Sequence, residues 1–110
     1  MLYPFKFIPV YKDYIWGGRN REKFGKNLPE GIVAESWEVA AHRDETSIVA
    51  NGSLKGMSLS RLFNRFGTKL CGSALDGFDR FPLLLKLIDA SNDLSVQVHP
   101  DDEYAARHEN

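Results

Sequence analysis

The 110 residues are 43% hydrophobic and 26% charged, with a formal net charge of −1 and a pI near 6.3. A chain of that length holds one modest core and is too short for two ordinary domains, so residues 1–110 read as one domain or part of one. The balanced charge offers no basic field for a nucleic acid backbone, and the single cysteine, Cys71, excludes an internal disulfide framework and fits a reducing compartment, the cytoplasm by default.

At the N-terminus, Pro4, Lys6 and Pro9 interrupt the apolar stretch that a signal peptide requires. No later run approaches the roughly 20 apolar residues of a membrane span, so the chain is expected to be soluble, unprocessed and without a membrane partner. Residues 5–11 alternate and contain Pro9, which suits an edge strand. Trp16-Gly17-Gly18 opens a turn, and residues 19–24 form a short helix stopped by Gly25, with loop through Gly31. Residues 32–42 mix β-branched and aromatic residues with charges, the pattern of a strand with one polar-lined face. Residues 47–50 make a second strand closed by Asn51-Gly52, and the two form a hairpin-like pair.

Ser58 precedes Leu59, Leu62, Phe63 and Phe66 at helical spacing, and Gly67 sits where that helix stops. Between Gly67 and Phe81 no periodicity persists, which reads as loop or irregular helix. Residues 83–90 are nearly continuous apolar sequence broken by Lys86, and residues 94–99 alternate strictly, giving two strands of the core sheet joined by a turn at 90–93. After Pro100, acidic residues at 101–103 and basic ones at 107–108 match the dipole of a C-terminal helix.

The alternation at 94–99 sends Leu94, Val96 and Val98 to one face and Ser95, Gln97 and His99 to the other. Residues two apart on one face have Cα atoms about 6.6–7 Å apart, so Gln97 and His99 can converge on one ion. Two ligands do not make a zinc site, and spacing alone favours an ordinary amphipathic strand with its polar face in water. Lys86, flanked by leucines, either snorkels to an edge or serves as a positive group for an anionic substrate or a charged transition state. Trp37 reads as core, whereas Trp16, in a glycine loop, fits packing and sugar contact equally. Glu35, Glu38, His42 and His108 read as solvated or locally paired groups outside the site. Cys71 has no histidine or second cysteine nearby in sequence and no expected catalytic role, and Gly17-Gly18 lacks the spacing of a phosphate-binding loop.

Taken together, residues 81–90 followed by Leu94-Ser95-Val96-Gln97-Val98-His99-Pro100 resemble the central signature of type I mannose-6-phosphate isomerases. Trp16-Gly17-Gly18, Glu35-Ser36-Trp37-Glu38 and Asp101-Asp102-Glu103-Tyr104 fit the same pattern, which resembles the bacterial short form across essentially all 110 residues. The resemblance implies a mainly β, cupin-like double-stranded β-helix, here a partial barrel with a few short helices. It implies interconversion of mannose 6-phosphate and fructose 6-phosphate with one bound Zn²⁺. It further implies Gln97 and His99 as metal ligands, Lys86 as a catalytic and substrate-binding residue, and Trp16 and Ser95 as substrate-binding residues. A Lewis acid and a cation near C1 and C2 would stabilise the enediol oxygens; no general base is identifiable.

The family's remaining glutamate and histidine ligands, and its phosphate-side arginine, have no counterpart among these residues. The expectation is therefore an N-terminal portion, incomplete for catalysis, whose cut barrel exposes strand edges open to self-association. The alternative is a non-catalytic cupin-like binding or assembly module. A different cupin enzyme is disfavoured because Lys86, Ser95 and the Trp16 loop fit the isomerase pattern at once.

Overall fold

The computed structural model describes residues 2–24, 28–43 and 45–108. Proline has no N–H for a ladder, and Pro9 accordingly splits the first extended segment into β1 (Phe7–Ile8) and β2 (Val10–Lys12), which join different sheets. A 3-10 turn spans Asn20–Phe24, as expected for 19–24, while its predicted Gly25 stop and the start of the following loop lie outside the described residues.

The predicted strand at 32–42 breaks at Ala40 into β3 (Glu35–Val39) and β4 (Ala41–His42). At the break, Ser47 N–H donates to Ala40 O (2.7 Å) and the buried Ser47 hydroxyl accepts from Ala40 N–H (2.9 Å). These bonds continue a hairpin in which β4 pairs with β5 (Glu45–Thr46). β6 (Ile48–Val49) then pairs with β1 rather than with β3, so the expected hairpin of 32–42 with 47–50 is corrected: its second strand is 45–46, and 48–49 belongs to another sheet.

The central sheet has the order β2-β3-β7, all antiparallel, with β7 at Leu85–Ile88. Helix α1 (Leu59–Phe66) starts at Ser58, whose hydroxyl accepts from Arg61 N–H (3.2 Å), and ends at Gly67 with φ of 49°. Its buried Leu59, Leu62 and Phe63 join Trp16, Val33, Ala34, Trp37, Ala40, Ala41 and Val49 in the core. The irregular stretch that follows holds α2 (Thr68–Cys71) and a 3-10 turn at Ser73–Leu75. Helix α3 (Asp102–His108) forms as predicted, with Asp101 Oδ1 accepting from Tyr104 N–H (2.8 Å).

One predicted strand is corrected. Residues 93–100 have the alternating side chains of a strand but no ladder, and Val96 and Val98 are 98% and 89% exposed. Alternation sets which side chains share a face, whereas a strand exists only when a neighbour takes its N–H and C=O groups. None among the described residues does so.

Candidate active site

Directly opposed residues of an antiparallel sheet share a face, as do residues two apart on one strand. The registers Val10↔Trp37↔Lys86 and Lys12↔Glu35↔Ile88 therefore collect Lys12, Glu35, Trp37 and Lys86 on one side of the central sheet. Lys86 Nζ donates to Glu35 Oε1 (2.9 Å) and Oε2 (3.3 Å); the Glu35 side chain is 5% exposed and that of Lys86 37%. Lys12 pairs with Glu45, its ammonium 4.6 Å from the centroid of the Trp37 ring. Lys86 thus does more than snorkel: its stem lies along an apolar strand and its head is fixed to a buried carboxylate.

Glu35 is the functional candidate that sequence reasoning left aside. The sequence separates Glu35 from Glu38 onto opposite faces, but alternation does not say which face is covered. The burial of Glu35 and its partner 51 residues away come from the β3–β7 register. The available signal was Lys86 itself, a lone cation in an apolar strand that needs a counter-charge.

The loop at Trp16-Gly17-Gly18 is held against the turn that precedes the 94–99 segment. Trp16 is buried and its carbonyl accepts from Ser91 N–H (2.8 Å) and Asn92 N–H (3.1 Å). Buried Asp89 accepts from Asn20 N–H (2.7 Å) and from the Asn20 amide (2.9 Å). Gly17 lies so close to β3 that an added Cβ would stand 2.4 Å from Ala34 Cα. These contacts tie the start of the chain to the turn from which Ser95, Gln97 and His99 emerge.

Gln97 Nε2 donates to Ser95 Oγ at 3.4 Å, which leaves the Gln97 carbonyl oxygen for another partner. His99 Nδ1 lies 2.8 Å from Pro100 O. A carbonyl only accepts, so Nδ1 is the donor in this contact, which leaves Nε2 as the ring nitrogen facing other partners. An open cavity of about 540 Å³ lies beside this histidine, lined by Val98, His99, Pro100, Asp101 and Tyr104. Among the described residues, no cluster of three His, Cys, Asp or Glu is placed to hold a metal ion. The donor types present, an amide oxygen and an imidazole nitrogen, fit two positions of a four-coordinate ion. Lys86 is bonded to Glu35, while Ser95, Gln97 and His99 are bonded locally, so the two groups form separate clusters along one chain. Burial raises the Cys71 thiol above its ordinary value, opposite to the shift that makes a nucleophile.

This fold is that of solved isomerases of the cupin class. It matches the crystal structure of the mannose 6-phosphate isomerase from Bacillus subtilis with a TM-score of 0.85 and 43% identity, over 96% of this chain and 33% of that one. It also matches a mutant of the phosphomannose isomerase from Salmonella typhimurium with a TM-score of 0.77 and 26% identity, over 96% of this chain and 29% of that one. The cupin expectation is thereby borne out. Residues 4–110 match the family described as phosphomannose isomerase type I, catalytic domain, and the chain belongs to that family. Mannose-6-phosphate isomerase ManA of Bacillus subtilis is 50% identical over 107 residues, 97% of this chain and 33% of the relative. The probable mannose-6-phosphate isomerase GmuF of the same organism is 43% identical over 114 residues, 100% of this chain and 34% of the relative. The chain spans about a third of the length of these curated relatives.

Proposed function

We propose that this chain carries the lysine face and two of the metal ligands of a zinc-dependent isomerase that interconverts mannose 6-phosphate and fructose 6-phosphate. The observation that carries the reading is the donor set at the end of the 94–99 segment: a Gln97 amide beside Ser95, and His99 with Nδ1 engaged by Pro100 O and Nε2 left for another partner. It stands within residues that match a phosphomannose isomerase family throughout. Gln97 Oε1 and His99 Nε2 would hold Zn²⁺, with the remaining ligands supplied from outside the described residues. Bound there, the ion supplies a Lewis acid for the oxygens at C1 and C2 of the sugar.

Lys86 contributes a second positive charge, which favours the enediol form as negative charge gathers on those oxygens. Neutral ligands suit this chemistry because they leave the cation's charge undiminished. Ser95 offers a hydroxyl to a sugar oxygen from the same side as Gln97. Trp16, at 6% exposure, lies within the core, so a part in sugar contact falls to the little of its surface that remains open. A phosphorylated sugar is too polar to cross a bilayer unaided, so enzyme and substrate share one compartment, for which the cytoplasm is the reading that a single free cysteine supports.

The test is zinc binding by equilibrium dialysis, with isomerase turnover measured in parallel, on the 110-residue chain and on His99→Ala. Losing one of two donors should weaken zinc binding by about tenfold or more, roughly 1.4 kcal/mol. Measurable zinc binding that is equal in the two proteins would remove His99 from the metal site and sink the reading. Turnover by the unmodified chain would show that the missing ligands are replaced, for instance across a dimer.

A further inference from the structure

Glu35 is a carboxylate with almost no access to water, and both of its oxygens face one cation, the Lys86 ammonium at 2.9 and 3.3 Å. Lys12 lies directly opposite Glu35 on β2, yet its ammonium is engaged by Glu45 and the Trp37 ring. Lys86 is not opposite Glu35 but opposite Trp37, one diagonal step away, a distance that a long side chain spans. The lysine therefore reaches along the sheet to the carboxylate instead of extending straight into water. With 37% of its side chain exposed, it keeps an open side toward solvent or substrate.

We propose that Glu35 is a positioning residue: it holds Lys86 as an ammonium ion in a fixed direction, so that Lys86 serves as a stationary positive charge and hydrogen-bond donor and not as the base. The assignment rests on the isomerase reading for the oxyanion that this charge would meet. The physical reason is local. A carboxylate that water hardly reaches has this one cation facing both of its oxygens, so the pair fixes the direction of the Lys86 head. Glu35 touches neither metal nor sugar in this scheme and acts only through Lys86.

The experiment is competitive acetylation of the 110-residue chain at one fixed pH, with the rate at each lysine read by mass spectrometry. Only free amine reacts, so an ammonium held by a carboxylate labels slowly. In the unmodified chain, Lys86 should label roughly tenfold more slowly than exposed Lys55 and Lys69, the equivalent of one hydrogen bond to a charged group. Glu35→Gln should remove that difference at Lys86 and leave Lys55 and Lys69 unchanged, and Glu35→Asp should restore part of it. A merely structural role for Glu35 would speed every lysine together. Should Glu35→Gln fail to fold, the comparison of Lys86 with Lys55 in the unmodified chain decides. The assignment is overturned if Lys86 labels as fast as Lys55 there, or if its rate is the same with glutamine at 35. Protection of Lys86 by mannose 6-phosphate is scored separately. Its loss, with slow labelling retained, would sink the substrate reading and leave the Glu35–Lys86 assignment standing.

Discussion

Gly17 and Gly18 show how neighbouring residues of one type differ in what surrounds them. A Cβ on Gly17 would meet the Ala34 backbone at 2.4 Å, and that backbone, just before β3 and bonded to Lys12 and Asp89, does not yield without moving its partners. A Cβ on Gly18 would meet the Ser91 hydroxyl at 2.1 Å, the end of a side chain that can rotate away. Gly17→Ala is therefore expected to cost about 1–3 kcal/mol as overpacking, and Gly18→Ala less. Urea unfolding of both variants checks this, and a larger loss for Gly18→Ala would mean that the loop does not seat on β3 as described. The pair was legible in the sequence as a turn. The close approach was not, because Ala34 comes near only after the fold has formed.

Helix α1 is the element whose sequence and structure agree most fully, since its signals are all local: a Ser58 cap, apolar residues three and four apart, and Gly67 at the end. Ser58→Ala removes the acceptor for Arg61 N–H and should cost about 1 kcal/mol. Leu62→Ala empties a fully buried site and should cost about 2–5 kcal/mol. Comparable losses in a denaturant titration would mean that α1 is held by its cap and not by its packing. The 94–99 segment is the opposite case. Its alternation correctly brought Ser95 and Gln97 together, now seen as a side-chain hydrogen bond, but said nothing about a pairing partner.

Across the whole molecule, large apolar side chains stand exposed along the later part of the chain. Leu83, Leu85, Val96 and Val98 are 66%, 59%, 98% and 89% exposed, and β7 borders the central sheet. An edge strand beside exposed apolar side chains pairs readily with another chain. We expect the 110-residue chain to self-associate as its concentration rises, and Leu85→Lys with Val96→Lys to suppress this. Sedimentation velocity over a range of concentrations reads the outcome, and a monomer throughout would show that this surface is tolerated in water. Among the described residues, no helix is long and apolar enough to cross a membrane.

The sequence by itself determined what depends on near neighbours: the caps and spacing of α1, the acidic start and basic end of α3, and the shared side of Ser95 and Gln97. These follow from backbone geometry within a few residues, which each residue type biases directly. Only the tertiary structure decided that β6 turns to β1, that Trp16 is buried with its carbonyl on the 91–92 turn, and that Glu35 is the counter-charge of Lys86. Those outcomes depend on strand register between distant segments. Register is selected by the burial of whole faces at once, so no single residue announces it.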